Sequence, residues 1–373
     1  MRRLLITGGA GFIGANFVQH WLGGHADDQV VVLDALTYAG HRANLSAAEK
    51  DRRFRFVEGD IRDTQAVEKL LREEEIDTLV HLAAESHVDR SIEGPDDFID
   101  VNIVGTHSLL KAARAVWLGK GASKSSSWRF HHVSTDEVYG SLEAKDPPFT
   151  ETSLYRPNSP YSASKAAADH LVRAYHETYG LPVTMSNCSN NYGPYQYPEK
   201  LLPLCILNLL EGRTLPIYGD GSNVRDWLHV RDHCAGIERV IERGRDGESY
   251  NLGGDAERTN LELTRTLCRL VDRRFAAKAE LAQRFPDAPP AHGEGCESRI
   301  RFVRDRPGHD RRYAIDATKA REELGFAPAY DLDRGLAATL DWYLDHEVWW
   351  RELRQRPDYQ EWVSGQYGDK AGS

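Results

Sequence analysis

The chain has 373 residues, of which 40% are apolar and 28% charged, a soluble globular composition with room for two ordinary domains or one large one. Its 47 Lys and Arg against 57 Asp and Glu give a formal net charge of −10, which argues against a general nucleic-acid binder, since phosphate neutralisation needs a basic face. No apolar run approaches the roughly 20 residues of a membrane helix. The best candidate, Leu201 to Leu210, is interrupted by Pro203 and Asn208.

Leu4-Leu5-Ile6 is too short an apolar core for a signal peptide. In chain order it predicts a first strand, Leu4 to Thr7, ending at glycines, then a helix from Phe12 to Leu22. Strands follow at Val30 to Leu33, Phe54 to Val57 and Leu79 to Leu82, and a long helix at Phe98 to Trp117. Phe130 to Val133 predicts a fifth strand, Tyr161 to Tyr179 a second long helix, and Val183 to Ser186 a sixth strand. Short apolar strands alternating with helices indicate a doubly wound parallel α/β sheet covered on both faces. Beyond Asn190 the pattern loosens. Helices are expected at Pro198 to Leu210, Leu263 to Val271 and Gly335 to Leu344, and strands at Trp227 to Val230 and Tyr250 to Leu252. The expected division is a dinucleotide-binding domain over 1–190, joined by returning segments near 227–254 and 310–325, and a smaller mixed α/β lobe over 191–373. Gly119 to Ser127 and Pro286 to Gly295 read as surface loops. The five cysteines, Cys188, Cys205, Cys234, Cys268 and Cys296, form no CxxC pair. They read as buried free thiols in a reducing, cytoplasmic setting, and no metal site is expected.

Gly8, Gly11 and Gly14 follow the first strand and open the first helix. Glycines there permit a tight turn and close backbone approach to a pyrophosphate at the positive helix N-terminus. Asp34 ends the second strand, 20 residues after Gly14. A carboxylate there accepts from ribose hydroxyls and repels a 2′-phosphate, so the cofactor expected is NAD rather than NADP. Asp60, after the third strand, reads equally as a contact for the adenine edge or as a helix N-cap.

Tyr161 and Lys165, four apart, share a helix face. An ammonium near a phenol is expected to lower the tyrosine pKa, and such a tyrosine can exchange a proton with a substrate hydroxyl. Thr135, at the end of the fifth strand, offers a hydroxyl to the same oxygen. With these residues the chain resembles the extended short-chain dehydrogenase/reductase superfamily. Asp136 and Glu137 directly follow Thr135, an acid pair that a dehydratase needs and a simple dehydrogenase or a 4-epimerase does not.

Longer strings sharpen the resemblance to the dTDP-glucose 4,6-dehydratase family. They are Leu82–Ser91, Tyr161–Lys165, Asn187–Tyr195, Pro198–Pro203, Arg225–Val230 and Asp305–Asp316, within a likeness running from Leu4 to about Leu344. The resemblance implies a hydro-lyase in deoxysugar biosynthesis. It oxidises C4 of dTDP-glucose, eliminates water across C5 and C6, and returns the hydride to C6. Thr135, Asp136, Glu137, Tyr161 and Lys165 are the implied catalytic residues, with Asp136 protonated and Glu137 ionised. Phe12, Ile13, Asp34, Ala35, Leu36, Thr37, Tyr38, Asp60, Ile61, Leu82, Ala83, Ala84, Glu85, Ser86, Tyr161, Lys165 and Asn191 are implied to line NAD. Ser86, Thr135, Asn190, Lys200, Leu201, Pro216, Ile217, Tyr218, Arg225, Asn260, Asp305, Arg306, Pro307, Gly308 and His309 are implied to hold the nucleotide sugar. Arg225 suits a bidentate phosphate contact. A homodimer is implied through the two long helices, with Leu109, Leu110, Ala167 and Leu171 as apolar residues facing away from the sheet. The alternatives are a dehydratase for another nucleotide sugar, a nucleotide-sugar 4-epimerase or decarboxylase, and a non-catalytic NAD-binding sensor.

Overall fold

A computed structural model of the chain describes residues 1–119, 128–305 and 308–367. Seven strands form one parallel sheet: β1 (Arg3–Thr7), β2 (Gln29–Asp34), β3 (Phe54–Glu58), β4 (Thr78–His81), β5 (Arg129–Thr135), β6 (Val183–Cys188) and β7 (Ser249–Leu252). Their spatial order is β7-β6-β5-β4-β1-β2-β3. The winding direction reverses between β1 and β4, where Thr7 is paired with His81. In open α/β sheets that reversal opens a crevice at the carboxyl ends of the strands, and ligands bind there.

Runs such as Leu4-Leu5-Ile6 and Val30-Val31-Val32-Leu33 are almost wholly buried, as expected of strands covered on both faces. One face packs on α1 (Phe12–Gly24) through Phe17, Val18 and Trp21, and on a helix at Val230–Arg243 through Ile237, Val240 and Ile241. The other packs on α2 (Thr106–Trp117) and α3 (Pro160–Tyr179), with Leu109, Leu110, Trp117 and Val172 in a second cluster. Leu109 and Leu110 are therefore spent on the sheet. The expectation that they face outward is wrong, because their helix turns that flank toward β4 and β5.

The expected long helix is present with a wider stretch inside it. Ile99–Gly105 is π-helical between the short turn Asp96–Phe98 and α2. Gly105 lets this stretch lie on the β3 loop, since a Cβ there would sit 2.5 Å from Ile61 Cδ1.

A separate core gathers helices Leu201–Leu210, Asn260–Ala277 and Leu332–Asp345 around Leu207, Leu267, Leu340 and Trp350. The 286–295 stretch is largely the surface loop its prolines suggest, exposed at Pro286, Asp287 and 292–295 and anchored by buried Ala288 and Pro289. It contains a 3₁₀ turn, Pro289–His292, flanked by Phe285, Ala288 and Cys296, all buried in this core. Residues 120–127 of the other expected loop lie outside the described residues, as do Arg306 and Pro307. All five cysteines are free and buried. No helix among the described residues is long and apolar enough to cross a membrane.

Candidate active site

The strand ends at the β1/β4 reversal open into a cavity of about 330 Å³. Gly8 turns the chain out of β1 at φ +70°, and a Cβ on it would lie 2.6 Å from the Ala83 nitrogen. Gly14 is more constrained, since its Cβ would fall 2.1 Å from the Gly8 carbonyl oxygen. Gly11 caps α1 with no side-chain cap, and the first turn carries no acid, so its free N–H groups and positive helix end stay open to an anion.

Asp34, 8% exposed, closes the same pocket. Its Oδ2 accepts from Ala10 N at 2.8 Å and its Oδ1 from Leu36 N at 2.8 Å, which fixes the carboxylate and leaves a lone pair on each oxygen. Burial raises its pKa, and the two backbone donors act in the opposite direction. A fixed carboxylate, a glycine cradle and an uncapped helix start fit the dinucleotide NAD.

Of the residues implied for NAD, all except Leu36 line this cavity. Leu36 holds φ +51°, and its N–H is what Asp34 uses. The two readings of Asp60 resolve against capping. Asp63 caps helix Thr64–Glu73, accepting from Ala66 N at 3.0 Å, whereas Asp60 accepts from Arg62 and lines the cavity. Asn191 reaches the cavity with its amide engaged, Oδ1 lying 2.9 Å from His233 Nδ1 and Nδ2 donating to Ser189 O.

At the other end of the cavity stand Thr135, Asp136, Glu137, Tyr161 and Lys165. The end of β5 places the first three: Thr135 caps a 3₁₀ turn, Asp136–Tyr139, by accepting from Glu137 N at 3.3 Å. A capping box at Ser159 and Ser162, with Pro160 as the first helical residue, starts α3 so that Tyr161 and Lys165 face that turn. Asp136 is 2% exposed, and its Oδ2 has no hydrogen-bond partner. Burial, then Glu137, then Asp226 push its pKa well above the usual carboxylate range, which favours its protonated form. Glu137 is half-buried.

Tyr161 is hydrogen-bonded to Thr135, but its pKa is raised, by burial first and then by Glu137. The lowering expected from Lys165 is absent because the ammonium turns away: Lys165 Nζ donates to Val133 O at 2.9 Å.

Among the residues implied for substrate, Ser86, Thr135, Asn190 and Lys200 line the cavity. Lys200 donates to Ser86 O at 2.8 Å, and Asn190 leaves a buried Oδ1 without a hydrogen bond. Arg225 lies behind Asp136, 5% exposed, donating to Asp310 O at 3.0 Å and standing over the Tyr313 ring. Asp305 and His309 pair at 2.6 Å, with the Tyr218 ring 6.1 Å from that of His309. Pro216, Ile217 and Tyr218 lie on strand Leu215–Tyr218, which pairs with Ile300–Val303, and Ile217 is buried within the lobe. Asn260 begins its helix with a buried Oδ1 lacking a partner. Leu201, Gly308 and these lobe residues do not line the cavity.

Glu85 falls within the Leu82 to Ser86 segment expected at NAD, and sequence reasoning missed Gln196, Tyr197 and Glu199 in the lining. Buried Glu199 takes Arg90 at 3.0 Å, and the Arg90 guanidinium stacks 4.2 Å above Tyr38. Glu199 sits inside a string quoted above, but an acid in a loop reads as a solvated charge until the fold closes over it.

The family model described as GDP-mannose 4,6 dehydratase matches residues 5–339. The dTDP-glucose 4,6-dehydratase of Xanthomonas campestris pv. campestris (strain B100) is 53% identical over 349 residues, covering 94% of this chain and 95% of that protein. The crystal structure of a dTDP-glucose 4,6-dehydratase from Streptomyces venezuelae, with NAD bound, superposes with a TM-score of 0.81 at 48% identity, covering 94% of this chain and 99% of that one. A UDP-glucose 4-epimerase from Thermotoga maritima shares the fold at a TM-score of 0.76 but only 27% identity, covering 92% of this chain and 99% of that one. The chain belongs to the nucleotide-sugar 4,6-dehydratase family and stands among its dTDP-glucose 4,6-dehydratases.

Proposed function

We infer that this chain dehydrates dTDP-glucose to dTDP-4-keto-6-deoxyglucose with NAD as a bound, recycled cofactor. The observation that carries the reading is the acid pair: a buried Asp136, its protonated form favoured, beside a half-buried Glu137, opposite Tyr161 in one cavity. NAD, held by the glycine turn, the open start of α1 and Asp34, supplies hydride acceptance at C4 and hydride return at C6.

Tyr161 exchanges the C4 hydroxyl proton, and Thr135 shares that oxygen. Once C4 is a ketone the C5 proton is acidic. Glu137 takes that proton while Asp136 gives its own to the C6 hydroxyl, which leaves as water. The hydride returns at C6 and the proton on Glu137 at C5, so no external redox partner is consumed, and the proton taken from the C4 hydroxyl balances the one Asp136 gave to the leaving water. The Arg225 guanidinium is assigned to the charge of the diphosphate, and Lys200 and Asn190, which line the cavity, to the sugar nucleotide from the lobe side.

The two cores support a division into an NAD unit, 1–190 with segments near 227–254 and 310–325, and a nucleotide-sugar lobe over 191–373. A homodimer is supported by Ile99 and Val104, 44% and 47% exposed on the π-helical stretch, with half-buried Ala167 and Leu171 on α3. A cytoplasmic setting is supported by five reduced, buried thiols.

Mass analysis of dTDP-glucose after incubation with the protein tests the activity. Loss of one water is expected. An unchanged mass with altered stereochemistry would establish epimerisation instead.

A further inference from the structure

Behind Lys165, away from the cavity, lies a buried ionisable group that the mechanism above does not use. Asp169 follows Lys165 by one helical turn on α3, as Lys165 follows Tyr161, so the three share a helix face. Asp169 is 2% exposed. Its Oδ2 accepts from Ser134 Oγ at 2.8 Å and from Tyr155 OH at 2.9 Å. Its Oδ1 lies 3.1 Å from His132 Nε2, and that nitrogen is also 3.4 Å from Lys165 Nζ. One imidazole nitrogen cannot both donate to Asp169 and accept from Lys165. His132 Nδ1 is buried without a hydrogen bond, so the ring has no second outlet. Lys165, His132 and Asp169 thus lie in one buried row between α3 and β5, with Asp169 Oδ1 left without a hydrogen bond.

We propose that Asp169 is the counter-charge that keeps the buried Lys165 protonated while the enzyme turns over, and so is a positioning residue for the Tyr161–Lys165 pair. This rests on the reading that Lys165 serves the active site. An ammonium removed from water loses its hydration, and Val133 O alone is a neutral partner. Burial drives the Lys165 pKa down, and Asp169 is the largest opposing influence. Asp169 is itself pushed up to about 6 by burial, so it is ionised at neutral pH. Burial and Lys165 hold His132 well below its ordinary value, so it stays neutral and leaves the negative charge of Asp169 uncancelled. The other titratable neighbours carry no charge that could substitute. Tyr155 and Tyr139 are raised and remain phenols, Cys188 is raised and remains a thiol, and His81, stacked near His132, is lowered and neutral. Asn187 completes the polar surround from β6.

The test is the pH profile of kcat and KM for dTDP-glucose in the NAD-loaded enzyme. Asp169→Asn keeps the shape and removes the charge. It should move the alkaline limb of kcat toward acid by about one pH unit or more, a tenfold change in proton affinity per unit, and leave KM nearly unchanged. Asp169→Glu, which keeps the charge, should restore the limb. Tyr155→Phe removes a hydrogen bond to Asp169 without its charge and should leave the limb in place. An unchanged profile in Asp169→Asn, or an equal displacement in Tyr155→Phe, would overturn the proposal.

Lys165→Met separates the two readings. If it turns over normally, Lys165 has no role in the site and the underlying reading fails. If it is inactive while Asp169→Asn keeps the wild-type profile, only the counter-charge fails. Should Asp169→Asn not fold, NMR of lysine-labelled wild-type enzyme, assigned with Lys165→Arg, decides the matter. The Nζ of Lys165 should report an ammonium at pH 7, and a neutral amine there would refute the proposal.

Discussion

At the residue scale the chemistry depends on three oxygens around one cavity: the Tyr161 phenol and the two acids of the turn after β5. Tyr161→Phe keeps the ring packed against Phe98 but removes the proton-exchanging hydroxyl. Turnover should fall ~10²–10⁴-fold, the usual worth of a general acid–base group, while NAD content after purification stays as in the wild type. Near-normal turnover would move the role to another group. Asp136 and Glu137 should separate by isotope exchange. Asp136→Asn keeps the base, so incubation in deuterated water should label C5 of recovered dTDP-glucose while water loss slows. Glu137→Gln should neither label C5 nor lose water at the normal rate, and labelling in Glu137→Gln but not in Asp136→Asn would reverse their roles. Tyr161, Lys165 and the acid pair stood out by their spacing and by the family resemblance together, since the four-residue spacing alone is weak. The bias of Asp136 toward its protonated form was legible only as a requirement, because its cause is burial beside Glu137 and Asp226. The relation of Lys165 to Tyr161 was misread, because helical spacing places two side chains on one face without saying where each one ends.

At the element scale, the turn from β1 into α1 has no slack. Gly14→Ala puts a methyl 2.1 Å from the Gly8 carbonyl, so helix and turn must part. Overpacking of this kind costs about 1–3 kcal/mol. Thermal unfolding should show a lower Tm, and the purified variant should carry less NAD. A second device ties α1 to the helix Val230–Arg243. Glu238 joins His20 at 2.8 Å and His25 at 2.6 Å, contacts that hold its carboxyl below the ordinary carboxylate range. Because the folded pKa is depressed, this stabilisation is full above the ordinary glutamate pKa and is lost as pH falls through the folded value. Glu238→Gln should lower stability by about 1 kcal/mol at neutral pH, with the gap to wild type closing in acid, as urea melts at several pH values would show. Neither device could be read in advance with equal ease. The glycines announce themselves by spacing, whereas Glu238 is more than 200 residues from His20 and His25 and meets them only because two helices cover one sheet face.

For the whole molecule, light scattering at micromolar concentration should give the mass of two chains, and Val104→Lys, which charges the exposed π-helical stretch, should shift it toward one. A monomeric wild type would leave Ile99 and Val104 as isolated surface residues. The sequence by itself determined the parallel sheet, its strand and helix succession, the NAD end and the catalytic constellation. Each of these is written in local signals: apolar runs for twice-covered strands, glycine spacing for a turn under a pyrophosphate, four-residue spacing for a helix face. Tertiary structure alone decided which face of α2 is core, that Ala288 and Pro289 anchor the exposed 286–295 loop, and that Asp63 rather than Asp60 caps its helix. It alone decided that Asp169 lies sealed behind Lys165. These outcomes depend on burial and on long-range contact, which set what a side chain touches and whether its charge survives, and neither is a property of a residue and its near neighbours in the chain.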